Sequence, residues 1–377
     1  MSMSRGSTRV FTAIAIAALS LLAAACGGGE SSSGSAAGSA TSGAGVAKAR
    51  EVVGQASVRP TELTVTEPIG KPVPAGKKLV FVACGVEACA VQGPILKEAA
   101  SMLGWSLEHV ATDGTPERMQ GAIDSAIRDG ADAVIITAAD RDALAKQIAD
   151  AQKAGVQIVT CCSVAEAGNG LLYNTATDKQ NGAIGDYLAA EVVADSKGEA
   201  EALYVNVSAF EILKAVGSTF QSKMQEYCPS CGVESIDIPA TALGKDAPDR
   251  IVSFLRSHPQ TNYVVLSISD ALGVGLPAAL KAAGLDDKVK LVGQGGSSQA
   301  YQDLRNGDIE ALVPGDRYSY DYQMIDALAR HWAGVPLVQA GPPYWLMKPD
   351  TVPANASKEF PFVEDYKTKW AELWGKA

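Results

Sequence analysis

The sequence predicts an α/β protein built of two similar parallel-sheet lobes with a ligand cleft at their interface. Three observations carry this expectation. Continuous apolar runs, such as Leu79-Val80-Phe81-Val82 and Ala133-Val134-Ile135-Ile136, read as strands covered on both faces. Between them lie stretches with apolar residues at helical spacing, opened by proline or threonine and stopped by glycine. The alternation recurs at roughly 25-residue intervals, runs through one half and then restarts. Strand, helix and strand in that order require right-handed crossovers, and hence a parallel sheet.

The first half opens with strand 79–84. Its helix has Pro94 in the first turn, Ile95, Leu96, Ala99 and Leu103 on one face, and Gly104 as its stop. Strand 107–111 follows. Thr115 and Pro116 then read as N-cap and first residue of a helix carrying Met119, Ile123 and Ile127, which ends at Gly130. Strand 133–136, a helix through Leu144, Ile148 and Ala151 stopped by Gly155, and strand 156–160 complete the half. A long helix around 184–193 leads into strands 202–207, 233–238, 263–267 and 290–292. Ligands of such sheets bind beyond the carboxyl ends of the strands. Loops 84–89, 160–163, 267–270 and 293–296 are therefore expected to ring one site.

Ahead of the lobes, Arg5 and Arg9 precede an apolar run, 10–25, that breaks at Cys26 and three glycines. A charged start and a short apolar stretch form an export signal, too short for a membrane span. Leu21-Leu22-Ala23-Ala24-Ala25-Cys26 resembles a bacterial lipobox, which is cleaved before a cysteine that then carries lipid. Ala23 stands where leucine is commonest in that motif. The expectation is removal of residues 1–25 and a lipid on Cys26 that holds the protein on the outer face of the cytoplasmic membrane. Residues 26–47, nearly all Gly, Ser and Ala, predict a flexible tether, and 48–77, with four prolines, an extended segment.

The 377 residues, 47% hydrophobic and 20% charged, suffice for two domains. Lys and Arg number 32 against 42 Asp and Glu, a net charge of -10, and no basic block is present, which excludes nucleic acid as a partner. The three histidines, His109, His258 and His331, are dispersed, so a histidine metal site is excluded and each is expected at the surface. No phosphate loop, nucleophile elbow or nucleophile–histidine set is present, so no enzyme activity and no cofactor are predicted. Gly293-Gln294-Gly295-Gly296 follows a strand and reads either as a simple turn or as amides offered to an anion.

Of the seven cysteines, six remain once Cys26 is assigned to lipid, and in an exported protein an even remainder implies disulfides. Cys228 and Cys231 are expected to clip a turn, since the two further ligands that zinc needs are not nearby. Cys84 and Cys89 bracket the first loop and are plausible partners. Cys161 and Cys162 read as free thiols, a vicinal disulfide, or a link to the first loop.

Over 78–336 the sequence resembles the type I periplasmic binding proteins of the ribose- and galactose-binding kind. The carriers are Leu79-Val80-Phe81-Val82 with Leu103-Gly104-Trp105, Gly130-Ala131-Asp132-Ala133-Val134-Ile135-Ile136, and Asp178 with Gly182-Ala183-Ile184-Gly185-Asp186-Tyr187. Ser269-Asp270 and Lys290-Leu291-Val292-Gly293 complete the set. The resemblance implies a monomeric solute receptor that captures a small molecule by hinge closure and delivers it to the permease of an ABC importer. A sensory receptor of the same fold, presenting its ligand to a membrane kinase or chemoreceptor, is the alternative; an exported enzyme is a distant third. It also implies a first lobe of 78–177 with 316–345, a second lobe of 178–315, and a tail, 346–377, packed on the body.

The implied solute site is Glu87, Ala88, Cys89, Thr137, Cys161, Cys162, Thr177, Lys214, Ser269, Asp270, Gln294, Gly295, Asp316 and Arg317. Several positions depart from the sugar-binding pattern. Ala88 and Cys89 replace stacking phenylalanines, Cys161 and Cys162 an Asp-Arg pair, Lys214 an arginine, Ser269 an asparagine, and Gly295 an aspartate. Thiols and glycine cannot reproduce charge-assisted bonds to vicinal hydroxyls. The expected solute is therefore larger or less hydroxylated than ribose, glucose or galactose, with Lys214 and Arg317 meeting an acidic or carbonyl group.

Overall fold

In the computed structural model of the chain, residues 34–85, 87–137, 141–354, 356 and 359–376 are described, the side chains of 34–42, 87 and 88 excepted. Ten strands form two five-stranded sheets. In chain order they are β1 (Lys78–Ala83), β2 (Ser106–Ala111), β3 (Ala133–Thr137), β4 (Gln157–Cys161), β5 (Leu171–Thr175), β6 (Glu201–Asn206), β7 (Gly232–Asp237), β8 (Tyr263–Leu266), β9 (Lys290–Gln294) and β10 (Ala311–Val313).

The first sheet is ordered β2-β1-β3-β4-β5 and the second β7-β6-β8-β9-β10, with every pairing parallel. The lobes thus repeat one topology. Central strands such as β3 and β8 are buried along their whole length, as both-face coverage demands. β5 and β10 were not anticipated. β5 ends in the polar pair Asn174-Thr175, both buried, and β10 has three residues, too few to show a pattern.

Each sheet is covered on both faces by helices. The first carries Gln92–Met102 and Arg317–Ala333 on one side and Pro116–Arg128 and Ala145–Ala154 on the other. On the second, Asp178–Asp195 and Leu213–Tyr227 face Ala247–Ser257, Leu276–Ala283 and Ser298–Asn306 across the sheet. Asp178–Asp195 takes the chain into the second lobe, and Arg317–Ala333 brings it back, placing Tyr322, Met324, Ile325 and Leu328 in the first core.

One expectation is corrected at the N-terminal side. The helix Gly34–Ala56 occupies much of what composition marked as tether up to Ala47 and the start of the extended segment from Lys48. Its Val46, Ala49, Val52, Val53 and Ala56 recur at helical spacing and pack into the second core. Tertiary contact overrides the low propensity of its glycines. Gly45 is required there, since a Cβ would lie 2.0 Å from the Tyr227 carbonyl oxygen. The chain then runs to the first lobe, where Leu63, Val65, Ile69 and Val73 are buried.

The tail divides between the lobes. Met347 bridges to Leu312 beside β10, and Trp345 and Phe362 lie in the second core. The last helix, Tyr366–Leu373, packs on the first, where Trp374 stacks on Tyr322 at 5.6 Å between ring centroids. Two disulfides close short loops, Cys84–Cys89 and Cys228–Cys231, both as expected. His109 and His331 are exposed and His258 half-buried. Cys26 and the export segment lie outside the described residues. Among the described residues no helix is long and apolar enough to cross a membrane.

Candidate functional site

The carboxyl ends of the two sheets face each other, and Arg317 marks the meeting point. It is the first residue of the helix that re-enters the first lobe, 18% exposed in its side chain, with Nε 3.6 Å from Glu359 of the tail. Burial opposes its charge, but Glu359, Cys162 after β4, Tyr320 and Asp270 after β8 outweigh that, so the guanidinium is held more firmly protonated. One cation therefore senses acidic groups from both lobes and the tail.

Around it lies a set of buried polar groups. Asp270 accepts the backbone N–H of Ser297 at 2.7 Å, and burial raises its carboxyl above the usual range against the pull of Ser297 and Arg317. This resolves the glycine-rich turn after β9. Gly295, at φ +119°, would place a Cβ 2.8 Å from the Asp270 carboxyl carbon, so the turn wraps the protein's own carboxylate rather than an outside anion. Asp321, one turn beyond Arg317, accepts Gln92 Nε2 at 3.1 Å, and burial drives its carboxyl well up. The same Gln92 nitrogen lies 3.3 Å from Cys161 Sγ.

Several buried side-chain atoms at these strand ends have no hydrogen-bond partner among the described residues. They include Thr137 Oγ1 of β3, Ser267 Oγ and Ser269 Oγ after β8, Gln294 Oε1 of β9, and the second oxygen of Asp321. Buried polar atoms are rarely left unpaired in folded proteins. They gather at the carboxyl ends of both sheets, the edge where ligands of this architecture bind, while others, such as Glu191 Oε2 and Tyr204 Oη, lie elsewhere. Tyr320 and Tyr344, each close enough to Cys162 to feel its charge, add aromatic surface beside Arg317.

Not every expected residue joins this group. Lys214 is exposed in the first turn of Leu213–Tyr227, within electrostatic reach of Asp178, so it stands on the rim and does not hold a buried anion. Cys89 is bound to Cys84 and buried in the first core, and does not face a solute. The side chains of Glu87 and Ala88 lie outside the described residues. Thr177 caps Asp178–Asp195 in a reciprocal pair with Gln180, so it shapes the crossing between lobes. Ala176 before it has φ +63°, a left-handed conformation that costs about 1–2 kcal/mol in a non-glycine residue. Tyr320, Asp321, Tyr344, Gln92 and Glu359 were missed. Tyr320 and Asp321 stand three and four residues after Arg317, one helix face that spacing makes legible. Glu359 comes from the tail and left no such signal.

Asp316 caps the helix Arg317–Ala333, accepting the Ser319 N–H at 3.2 Å, and is a structural cap rather than a free ligand group. Burial pushes its carboxyl up to about 7 despite backbone donors from Ser319 and Phe362. A carboxyl with a folded value above its unfolded 3.8 binds more protons when folded. Its stabilising effect is complete below the unfolded value and is lost as pH rises through about 7. We expect Asp316→Asn, which keeps a capping oxygen, to reduce the fall in stability between pH 4 and 7 by up to about 4 kcal/mol, read by denaturant unfolding across that range. Identical pH profiles for the two proteins would contradict this.

A surface concavity of about 410 Å³ lies elsewhere, lined by Ser196, Glu199, Asn262, Tyr263, Lys290 and Glu310 among others. Tyr263 and Lys290 begin β8 and β9, so it sits at the amino ends of the second sheet, the wrong edge for a ligand of this architecture. Among the described residues no group of three or more His, Cys, Asp or Glu is placed to hold a metal ion.

Residues 92–335 match the family model described as the periplasmic binding protein domain. No curated protein sequence matches the chain. Among solved structures, a glucose-galactose binding protein from Geobacillus stearothermophilus is similar at 17% identity and TM-score 0.64, covering 74% of this chain and 100% of that one. A periplasmic ribose ABC transporter protein from Conexibacter woesei shows 18% identity and TM-score 0.65, with 77% and 100% covered. The solute binding protein of a 5-methylthioribose transporter from Thermotoga lettingae, in complex with 5-methylthioribose, shows 21% identity and TM-score 0.62, with 80% and 94% covered.

Proposed function

The chain belongs to the periplasmic binding protein family, and from that premise we propose that it is the exported, lipid-anchored solute receptor of an ABC importer. Proteins of this family bind solutes and do not transform them. The receptor closes its two lobes around a small molecule and presents the loaded form to a permease. The observation that supports this most is Arg317, half-enclosed between Cys162 of one lobe and Asp270 of the other.

The same surroundings narrow the solute. Arg317 already faces Glu359, so a solute carboxylate would have to compete with the protein's own carboxylate for it. An uncharged molecule fits better, with hydroxyl or carbonyl groups for Arg317, Gln294 and Ser269 and a less polar face for Cys161, Cys162, Tyr320 and Tyr344. That is a sugar derivative or polyol with an apolar side, rather than a plain pentose or hexose.

A thermal-shift screen of the full chain against polyols, sugar derivatives, simple monosaccharides and carboxylic acids tests this. A true solute at 100 times its dissociation constant adds about 2.7 kcal/mol of stability. Ribose, glucose and galactose are expected to bind no tighter than roughly 100 μM, about -5.5 kcal/mol. Micromolar calorimetric binding of any of the three, or of a carboxylic acid in preference to uncharged solutes, contradicts the assignment. Anchoring has its own test. Cys26→Ala should release the protein from the membrane or leave it unprocessed, and a variant still processed and still membrane-bound would refute the lipid anchor.

A further inference from the structure

We propose that Cys161 and Cys162 close into a vicinal disulfide on the oxidising side of the membrane, and that this bond is a redox-labile part of the solute cleft. The proposal rests on the reading of that cleft as a solute site. Among the described residues these are the only cysteines outside the two disulfides. Cys161 is the last residue of β4 and wholly buried, while Cys162 has φ +61°, an unusual conformation for a side-chain-bearing residue. That bend brings the two Sγ atoms to 2.8 Å. Less than an ångström of approach then separates the pair from a bond of about 2.05 Å. The Cys162 N–H donates to the Thr175 carbonyl of β5 at 3.2 Å, so the bend is fixed by the sheet.

The two thiols are unequal. The hydrogen bond from Cys161 and the charge of Arg317 hold the Cys162 thiol below its ordinary value against burial, whereas burial pushes Cys161 well up. Cys162 is therefore the attacking thiolate. It attacks one sulfur of an external disulfide, either a small molecule or an oxidoreductase, and expels the first thiol to leave a mixed disulfide on Cys162. Cys161 then loses its proton, attacks Cys162 Sγ and expels the second thiol. The pair gives up two electrons and two protons, and the external disulfide takes both as two thiols.

This bond differs from the other two. Adjacent Cα atoms lie about 3.8 Å apart across a trans peptide, short of the roughly 4.4–6.8 Å that disulfides prefer. Cys84–Cys89 and Cys228–Cys231 sit within that range, at 5.6 and 5.3 Å. The vicinal bond should thus open first under a reductant. Its state also changes the cleft. As a dithiol the pair offers S–H groups and, within reach of the Arg317 charge, a thiol able to ionise; as a disulfide it has neither S–H donor nor titratable proton, and presents a flat apolar surface.

The full chain, treated with oxidised glutathione, unfolded and labelled with N-ethylmaleimide, should carry no label on Cys161 or Cys162. Low dithiothreitol should expose both while the two other disulfides persist. Full labelling after oxidation overturns the proposal, as does a bond that opens no earlier than the others. In calorimetry with 5-methylthioribose and myo-inositol as probes, reduction should weaken binding by about tenfold, and the Cys161→Ser/Cys162→Ser variant should be insensitive to dithiothreitol. Equal affinity in both redox states overturns the link to the solute. If neither probe binds in either state, the solute class assigned above fails, and the labelling result still decides the bond.

Discussion

Arg317→Ala is expected to weaken solute binding by about 2–4 kcal/mol, roughly 30- to 1000-fold, while leaving the fold intact. The guanidinium sits where both lobes meet, and among the described residues its one ion pair, with Glu359 at 3.6 Å, runs through Nε. Each charge-assisted bond to a solute hydroxyl or carbonyl is worth about 1.5–3 kcal/mol, and truncation removes a fork that can make two. The ion pair of Arg317 with Glu359 is lost as well. Because that pair is partly exposed and 3.6 Å apart, its loss should change stability by no more than about 1 kcal/mol. Arg317→Lys should recover little, since an ammonium cannot reproduce the planar fork. Calorimetry with the best solute from the screen, paired with a thermal melt, reads both effects. Unchanged affinity in Arg317→Ala would remove this residue from the site.

The largest effect on stability is expected at Asp326. It forms an ion pair with Arg330 at 2.6 Å, both side chains nearly inaccessible, and accepts the Trp374 indole N–H at 3.0 Å. Arg330 also donates to the Glu67 carbonyl, so the pair joins the helix Arg317–Ala333, the segment before β1 and the tail. Burial raises the Asp326 carboxyl, with Arg330 and Trp374 opposing. Asp326→Ala leaves a buried guanidinium without its counter-charge, which costs about 3–5 kcal/mol. A fall in Tm of roughly 6–15 °C is expected. The double change Asp326→Ala/Arg330→Met should recover part of it, because the stranded charge is gone. A single variant as stable as the parent would show that the pair does not anchor the tail.

Most of the two-lobed fold was legible because its signals are local. Short β-branched runs such as Val134-Ile135-Ile136 between glycine stops read as strands buried on both sides, and glycines such as Gly155 and Gly284 bound the helices wherever they pack. The helix Gly34–Ala56 escaped because its stability comes from contact with Asp178–Asp195 and Leu213–Tyr227, which no composition rule sees. The site was legible in part. Topology puts the loops after β4, β8 and β9 at one end of the sheets, where the structure gathers Cys162, Asp270 and Arg317. The resemblance had Lys214 meeting an acidic or carbonyl group of the solute, and the structure places it exposed in the first turn of its helix. Glu359 and Tyr344 reach the cleft from the tail and its approach, segments with no repeating pattern and no counterpart in the strand-and-helix alternation.

A crystal structure of the full chain with the tightest solute from the screen puts the two-lobe receptor to its most direct trial. The solute is expected between the carboxyl ends of the two sheets, hydrogen-bonded to Arg317 and resting against Cys161–Cys162, with Thr137, Ser269 or Gln294 taking up its remaining polar groups. A solute found instead in the concavity beside Tyr263 and Lys290, or bound to one lobe without contact to the other, would contradict it.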